Sequence, residues 1–332
     1  MKKLISICIP TFNRAQELHN QLSWLAQDIK GFEDDCEVII SDNCSNDETQ
    51  SVIKKWQPAF IQTTFKSNKH DENIGCIRNI TYCLNVSTSR FTWIIGDDDL
   101  IFNNTLAYVI SKLKSIPNLG LLYLNFSDLN RKTGEVTSEH WFDTNLDNKK
   151  NIYDGKGTFQ HCIEKNFGSV IFLTATIYRT DLAQAALQEW SIGMENWGYL
   201  AYLAGYCAVQ GNILVTKNNY IECTMGVSYW QEDPRAWFKI LHKDIPEIYL
   251  KLQEIGYPRK FYSRMILKIF KEDLTKDNFF IRLKYYLWCL IHWPLWSINI
   301  VIYFLFSLSS AIFNYKLPQT IANITQYNTP IK

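Results

Sequence analysis

The chain has 332 residues, of which 47% are hydrophobic and 20% charged, so a disordered protein is excluded and a large buried core is possible. Its net charge of +1 at pH 7 gives no overall electrostatic field for binding nucleic acid. Its nine cysteines include no CxxC pair, which favours reduced thiols in a cytoplasmic protein over disulfides or a zinc site. The apolar run after the two N-terminal lysines ends at Pro10 and is too short for a signal peptide, so we expect a strand there.

The first 125 residues alternate between strand and helix patterns. Apolar runs rich in β-branched or aromatic residues predict strands at 4–9, 37–41, 60–66, 91–95 and 120–125. Apolar residues at helical spacing predict helices within 15–29, 52–56, 77–84 and 106–113. Two helix starts carry predicted capping boxes, formed by Asn13 with Gln16 and by Ser45 with Glu48. Because the connections are short, we expect an α/β fold with a mainly parallel sheet covered by helices on both faces.

The second half of the chain begins with a polar, irregular stretch. Residues 127–160 predict a long loop, and long loops often carry substrate selection. Beyond this loop we expect a strand at 167–177, helices at 180–190 and 195–204, and mostly helical structure over 233–273.

An acidic turn follows the predicted strand at 91–95. The apolar run ends in three adjacent carboxylates, Asp97, Asp98 and Asp99. In open α/β sheets ligands bind outside the carboxyl ends of the strands, and clustered carboxylates suit hard cations such as Mg²⁺ or Mn²⁺. We therefore expect a divalent metal here. The alternative is a solvated acidic turn before the helix that starts near Asn104, whose first turn favours negative charge.

Three other polar motifs stand at or just beyond predicted strand ends. Their candidate ligand-binding residues are Pro10, Thr11 and Arg14 in the first motif, Asp42 in the second, and Asn73, Gly75 and Arg78 in the third. The carboxylate oxygens of Asp42 could accept a hydrogen bond from a nucleotide base. Each motif also has a structural interpretation. Pro10 and Gly75 are common turn residues, Arg78 suits a solvated helix position, and Asp42 suits a helix entry. Because the motifs would line one edge of the sheet, we favour a shared ligand pocket.

In order and spacing, the four motifs resemble those of family 2 glycosyltransferases with the GT-A fold, over roughly residues 4–125. The resemblance implies that Pro10, Thr11 and Arg14 flank the nucleotide. It also implies that Asp42 contacts the base and that Asn73, Gly75 and Arg78 shape the nucleotide pocket. Asp97 and Asp98 would then hold the nucleotide sugar, and Asp99 and Asp98 would hold Mg²⁺ or Mn²⁺.

One position departs from the family pattern. Many members have an aspartate where this chain has Gly96, which favours Asp98 and Asp99 over Asp97 for metal and ribose. The Gly-Asp-Asp-Asp form of the turn also resembles an abequosyltransferase-like subgroup.

The resemblance extends to the catalytic base. Family members commonly carry an acidic pair at the start of a later helix, and here the pair is Glu195 with Asn196 in place of the second acid. Glu195 is therefore the candidate base, with Asp181 and Glu189 as weaker substitutes. Alternatively, Glu195 is a helix-start glutamate favoured by the dipole. The segment 221–231 has no histidine, so a third protein ligand of the metal is not assigned.

The C-terminal residues are first basic and then apolar. Residues 256–284 carry eight Lys and Arg against three acids, and residues 285–315 contain no Asp, Glu, Lys or Arg. The apolar stretch is long enough to cross a bilayer, but His292 and Pro294 interrupt it and its tryptophans are typical of a membrane interface. We favour interfacial helices next to anionic lipid over one membrane span. A helix that closes the core or a dimer contact is the alternative.

These interpretations divide the chain into four parts. Residues 1–125 form the nucleotide-sugar half and 126–232 the acceptor half of one GT-A domain, followed by a basic helical segment at 233–284 and a membrane-associated tail at 285–332. The expected activity is inverting transfer of a sugar from a nucleotide-diphosphate donor to a hydroxyl of a lipid-linked saccharide. We expect this reaction in bacterial surface polysaccharide synthesis, on the cytoplasmic face of the inner membrane. A polyprenyl-phosphate sugar synthase and a catalytically silent membrane scaffold are the alternatives.

Overall fold

The computed structural model describes residues 2–130, 133–146, 154–225 and 234–273, with isolated helical positions between 283 and 308. Its contacts divide the chain into two units. The first unit comprises Met1–Met194 and Leu203–Val227, and the second comprises Glu195–Tyr202 and Ser228–Lys332. Most of the predicted apolar tail at 285–332 lies outside the described residues. Among the helices that are described, none has both the length and the apolar character needed to cross a bilayer.

The first unit contains an eight-stranded sheet in its described part, with the strand order β3-β2-β1-β4-β7-β6-β8-β5. The strands are β1 (Ile5–Thr11), β2 (Cys36–Asp42), β3 (Thr64–Lys69), β4 (Phe91–Ile94), β5 (Leu100–Ile101), β6 (Leu119–Asn130), β7 (Thr176–Arg179) and β8 (Asn212–Met225). Strands β1 to β4 pair in parallel with one another, and β6 pairs in parallel with β8. Strand β7 is antiparallel to both β4 and β6, and β5 is antiparallel to β8.

Helices connect these strands and continue beyond them. They are α1 (Ala15–Asp28), α2 (Thr49–Trp56), α3 (Cys76–Val86), α4 (Thr105–Ser115), α5 (Gly155–Lys165), α6 (Phe167–Ile171), α7 (Thr180–Glu189), α8 (Tyr199–Gln210), α9 (Pro234–Lys239), α10 (Ile245–Glu254) and α11 (Arg259–Asp273). Short 3₁₀ turns cover Gln57–Phe60 and Ser191–Glu195, and a π-helical turn covers Ile240–Asp244.

The centre of the sheet positions the carboxyl ends of three neighbouring strands. All seven residues of β2 are buried, as are the four residues of β4, because helices cover both faces of these parallel strands. Thr11 at the end of β1 is in register with Asp42 at the end of β2. Just past β4, the backbone N–H of Ile95 donates to the carbonyl of Cys8 at 2.9 Å. The polar motifs that follow β1, β2 and β4 therefore start from one edge of the sheet.

The predicted α/β fold is confirmed, although the sheet is more mixed than expected. The prediction of a strand at 167–177 was wrong for its first part, because the side chain of Asn166 accepts a hydrogen bond from the Gly168 N–H and caps α6 there. Strand β8 was not predicted. Its apolar residues are interrupted by polar ones, and its pairing with β6 shifts register between Tyr123 and Asn125.

The two capping boxes were also wrong, although the helices themselves were predicted. The side chain of Asn13 accepts from the backbone N–H of Asn46 at 2.8 Å, and the backbone N–H of Asn13 donates to the hydroxyl of Ser45 at 2.8 Å. Asn13 has a left-handed backbone, with φ of 52°. These side chains therefore hold the loops after β1 and β2 to each other instead of capping their own helices.

A buried carboxylate near the amino end of β2 connects β1, β2 and β3. Glu37 on β2 is 1% exposed, and its oxygens accept from Ser6 Oγ at 2.5 Å, from Lys66 Nζ at 2.7 Å and from the Thr88 N–H at 2.9 Å. Burial by itself raises the pKa of Glu37, but the hydrogen bonds from Lys66, Ser6 and Thr88 outweigh it and lower the pKa to about 2. Glu37 is therefore held in its ionised form in the folded protein.

This environment predicts a pH-dependent effect of Glu37→Gln on stability. The folded-state pKa lies below the unfolded one, so ionised Glu37 stabilises the fold above about pH 4.5, and this contribution disappears as the pH falls to about 2. We expect Glu37→Gln to lower the free energy of unfolding by about 2 kcal/mol at neutral pH and by much less near pH 2. Urea unfolding at both pH values measures this, with exposed Glu164→Gln as the control. An effect that is equal at both pH values would contradict the prediction.

Candidate active site

The acidic turn after β4 is tied to the loop after β1 by one arginine. Nη1 of Arg14 lies 2.9 Å from Asp97 Oδ1 and 2.8 Å from Asp98 Oδ2. The hydroxyl of Thr11 donates to the other oxygen of Asp97 at 2.7 Å. The structure thus brings together four residues that the sequence proposed as ligand-binding, and it places a guanidinium between two of the carboxylates. Half-buried Pro10, which precedes Thr11, lies on the same strand in register with Ser41.

The third carboxylate of the turn points into the protein. Asp99 is 8% exposed, and its Oδ2 accepts a hydrogen bond from the hydroxyl of Thr174. Its Oδ1 accepts from the backbone N–H of Thr224 at 3.4 Å, while the Thr224 hydroxyl donates to the carbonyl of Asp98 at 2.8 Å. Both carboxylate oxygens of Asp99 are therefore used by the protein. Sequence analysis missed Thr174 and Thr224, since nothing near them in the sequence marks their contact with the turn.

Gly96 explains why Asp99 can take this inward position. The Gly96 N–H donates to Thr174 Oγ1 at 2.8 Å. A Cβ atom at residue 96 would lie 2.7 Å from Asp99 Oδ2 and 3.3 Å from Thr174 Oγ1, which is too close for the first contact. The carboxylate of Asp99 thus occupies the space into which a side chain at position 96 would project. Gly96, which stands where many family members have an aspartate, therefore leaves the space that the buried carboxylate of Asp99 occupies.

Negative charge is crowded in this turn. Burial raises the pKa of Asp97 to about 6, although Arg14 and the Thr11 hydroxyl act in the opposite direction. Burial and the neighbouring Asp98 also raise the pKa of Asp99. For Arg14, burial lowers the pKa, but the two carboxylates raise it well above its usual range. Additional positive charge at this turn would therefore stabilise the ionised carboxylates.

The turn could hold a divalent cation whose remaining coordination positions are filled by a bound ligand. Asp98 has the most exposed carboxylate of the three, with 23% of its side chain accessible against 6% for Asp97. Within the described residues no cluster of three or more His, Cys, Asp or Glu side chains is arranged to hold a metal by itself. Mg²⁺ is commonly bound by one or two carboxylates together with substrate phosphates and water. Asp98 is thus the carboxylate of the turn that could hold Mg²⁺ or Mn²⁺ together with a diphosphate.

Asp42, which the sequence proposed as a contact to the base, is fully buried at the end of β2. Its Oδ1 accepts from the Ser45 N–H at 2.8 Å, and its Oδ2 accepts from the Gln50 side-chain amide at 2.6 Å. These bonds fix the loop that connects β2 to α2. In this structure both oxygens of Asp42 are bound by the protein itself. Its contact with a base stays a prediction.

The loop before α3 is held by an asparagine pair. The side-chain amide of Asn43 donates to Asn73 Oδ1 at 2.8 Å and accepts from the Ile74 N–H at 2.9 Å. Asn73 Oδ1 also accepts from the Gly75 N–H at 2.9 Å. Gly75 has φ of 88°, a backbone conformation that L-residues rarely adopt, and it immediately precedes α3. Arg78 lies in the first turn of that helix with an exposed side chain. Asn43, which was not predicted, therefore also fixes the loop before α3.

Glu195 lies at the end of a 3₁₀ turn and belongs to the second unit, where its side chain is exposed. The next residue, Asn196, is buried, and its amide donates to the Asp244 carbonyl at 3.0 Å and to Glu247 Oε2 at 2.8 Å. An aspartate at position 196 would place two carboxylates against each other, which accounts for the asparagine. Fully buried Asp244 is also 2.9 Å from Lys239 Nζ. The segment carrying Glu195 is therefore firmly held, and the role of Glu195 as base stays a prediction.

The two weaker candidates for the base differ in environment. Asp181 is 61% exposed and forms an ion pair with Arg179 at 2.9 Å. Glu189 is exposed at the last residue of α7. Neither residue lies at the position that the family resemblance indicates for the base.

Solved structures with a similar architecture identify the fold. Staphylococcus aureus TarS, residues 1–349, is 17% identical, with a TM-score of 0.60 over 92% of this chain and 81% of that one. Mannosyltransferase PcManGT from Pyrobaculum calidifontis, in complex with GDP-Man and Mn²⁺, is 12% identical, with a TM-score of 0.51 over 95% of this chain and 89% of that one. The first unit therefore has the GT-A fold of nucleotide-sugar glycosyltransferases, as the motifs predicted.

Residues 6–168 match the family model described as glycosyl transferase family 2, and this part of the chain belongs to that family. Abequosyltransferase RfbV of Salmonella typhimurium is 34% identical over 113 residues, which are 34% of this chain and 33% of that protein. Poly(ribitol-phosphate) beta-N-acetylglucosaminyltransferase TarP of Staphylococcus aureus is 35% identical over 109 residues, or 32% of this chain and 31% of that protein.

A third relative is a glucosyltransferase by name. The GalNAc(5)-diNAcBac-PP-undecaprenol beta-1,3-glucosyltransferase of Campylobacter jejuni is 27% identical over 136 residues, or 41% of each protein. The matches thus span between about a third and two fifths of the curated relatives.

Proposed function

We propose that this chain is a glycosyltransferase that moves a sugar from a nucleotide-diphosphate donor to a hydroxyl of a saccharide acceptor. The observation that carries the proposal is the Thr11, Arg14, Asp97 and Asp98 cluster at the carboxyl ends of β1 and β4, inside a family 2 domain. Its relatives are named for transfer to an undecaprenol-linked oligosaccharide and to poly(ribitol-phosphate). We therefore propose a lipid-linked saccharide of bacterial surface polysaccharide synthesis as acceptor, at the cytoplasmic face of the inner membrane.

The donor site would use the strand-end loops in the following way. Asp98 and Asp97 would hold a hard cation and the ribose, with Asp99 as a further metal ligand by resemblance. A bound Mg²⁺ or Mn²⁺ would supply charge neutralisation for the departing nucleoside diphosphate. Pro10, Thr11 and Arg14 would line the nucleotide, and the loop of Asn43, Asn73 and Gly75 would shape the pocket with Arg78.

The reaction would be an inverting displacement. The acceptor hydroxyl oxygen attacks the anomeric carbon of the donor sugar, and the bond from that carbon to the diphosphate oxygen breaks. Glu195 takes the hydroxyl proton as general base, and the nucleoside diphosphate leaves with the bonding electrons. Glu195 is preferred to Asp181 or Glu189 because the family resemblance places the base at this position of the chain.

Calorimetric titration of UDP, GDP, CDP and dTDP into the detergent-solubilised chain, with and without Mn²⁺, tests the donor site. We expect one nucleotide to bind at least about tenfold more tightly with Mn²⁺, which corresponds to about 1.4 kcal/mol. That nucleotide would then define the class of donor sugar for an acceptor assay.

Two results would overturn the proposal. A folded chain that binds none of the four nucleotides would favour the catalytically silent scaffold. Transfer to a polyprenyl phosphate, with no transfer to a lipid-linked saccharide, would favour the polyprenyl-phosphate sugar synthase.

A further inference from the structure

The second unit presents a line of basic side chains on α11. Four exposed residues recur at intervals of four, four and three, which places them on one face of the helix. None of the four forms an ion pair with another described residue. We call them the basic stripe, and they are Lys260, Arg264, Lys268 and Lys271. The buried residues of the helix, among them Tyr262, Ile266 and Phe270, lie on other faces.

Helical positions further along the chain present apolar side chains to solvent at the same kind of spacing. We call this set the apolar stripe, and it comprises Ile298, Val301, Leu305 and Leu308, which are 50%, 54%, 56% and 40% exposed. Their intervals of three, four and three residues are the spacing typical of one face of an amphipathic helix. Two earlier helical positions four residues apart, Leu287 and Ile291, are 51% and 75% exposed. Side chains of this size are rarely left in water in such a series, so the stripe needs a partner.

The apolar stripe lies on structure that is anchored to the second unit. The ring of Phe304 packs against Phe270 of α11 at 5.3 Å between centroids, and Ser307 is fully buried. Tyr286 packs edge-on against Phe238 at 5.0 Å. These contacts are made by other helical positions of the same stretch, so the exposed apolar residues are not the ones that pack against the rest of the unit.

The positive charge next to the apolar stripe indicates which kind of partner covers it. Residues 256–284 carry a net charge of +5 in a chain whose total is +1, and this basic segment leads directly into the apolar one. A second copy of the chain would bring like-charged stripes together, which is unfavourable. An anionic bilayer surface instead offers acidic headgroups to the basic stripe and acyl chains to the apolar one. We propose that the basic stripe and the apolar stripe together form a docking surface for an anionic lipid bilayer.

Vesicle flotation of the purified 332-residue chain tests this surface without any donor or acceptor, so the test is independent of the proposed transfer reaction. We expect strong partitioning onto vesicles of phosphatidylcholine with phosphatidylglycerol, and weak partitioning onto phosphatidylcholine alone. Salt should weaken the binding. The triple variant Lys260→Gln, Arg264→Gln, Lys268→Gln should bind about 100-fold more weakly, at about fivefold per basic residue. The variant Ile298→Ser, Val301→Ser, Leu305→Ser should also lose binding.

Matched controls come from the first unit. Lys54→Gln with Lys55→Gln removes exposed charges, and Ile61→Ser removes an apolar residue that is 86% exposed. Both should bind vesicles like the parent chain, and thermal unfolding should confirm that all variants are folded. Equal binding to neutral and anionic vesicles, or unchanged binding of the triple basic variant, would overturn the proposal. The proposal would also be overturned if the chain did not bind vesicles but formed a dimer, and if the apolar variant dissociated that dimer.

Discussion

Replacing Asp98 with Asn is expected to lower metal-supported sugar transfer by about 10³-fold while leaving the protein folded. Asp98 is the most exposed carboxylate of the turn, and a cation that neutralises a leaving diphosphate contributes several kcal/mol to the transition state, which corresponds to roughly this factor. Titration of Mn²⁺ into the transfer assay measures the effect. The half-maximal Mn²⁺ concentration should rise as well, because the variant loses a charged ligand.

Asp99→Asn is the matched comparison, since the resemblance assigns this residue to the metal while the structure buries it. Both oxygens of Asp99 accept hydrogen bonds from Thr174 and Thr224, so its replacement should mainly lower the free energy of unfolding, by about 1 to 3 kcal/mol. Activity measured well below the unfolding temperature should fall less than in Asp98→Asn. The opposite order, with an intact Mn²⁺ response in Asp98→Asn and none in Asp99→Asn, would assign the metal to Asp99.

Glu195→Gln is expected to reduce kcat by about 10² to 10⁴-fold with nucleotide binding unchanged, because it removes the proton acceptor and keeps the size and shape of the side chain. Single-turnover transfer together with calorimetric nucleotide binding separates these two effects. Asp181→Asn and Glu189→Gln are the controls and should keep most of the activity, because the family resemblance assigns the base to Glu195. Normal turnover of Glu195→Gln would place the base elsewhere, and a large loss in one of the controls would identify it.

The part of the fold that the sequence predicted is the part whose strands are buried on both faces. The segments of β1, β2 and β4 are rich in β-branched and aromatic residues, which favours strands, and the helices between them show regular apolar spacing. Strand β8 was missed because its identity depends on pairing with β6, a segment about ninety residues earlier, and its own pattern is broken by polar residues. Local sequence carries no information about such a partner.

The site was predicted at the level of residue type and strand end, but not of side-chain direction. The sequence identifies Asp42 and Asp99 as polar residues at the edge of the sheet. Whether a carboxylate faces a ligand or the protein depends on donors that come from elsewhere, such as Gln50 for Asp42 and Thr174 for Asp99. Likewise, Asn13 and Ser45 looked like caps because each lies close to a helix start, while their actual partners belong to the loop of the neighbouring strand.

The crowding between Gly96 and Asp99 limits how this turn can evolve. One small volume beside Thr174 accepts either a side chain from position 96 or the carboxylate from position 99, but not both in this backbone conformation. A side chain at position 96 would displace the Asp99 carboxylate from Thr174, so the effects of substitutions at positions 96 and 99 depend on each other. The number of aspartates in the turn is consequently a poor guide to its chemistry. The space beside Thr174 determines which carboxylate is buried and which ones stay accessible.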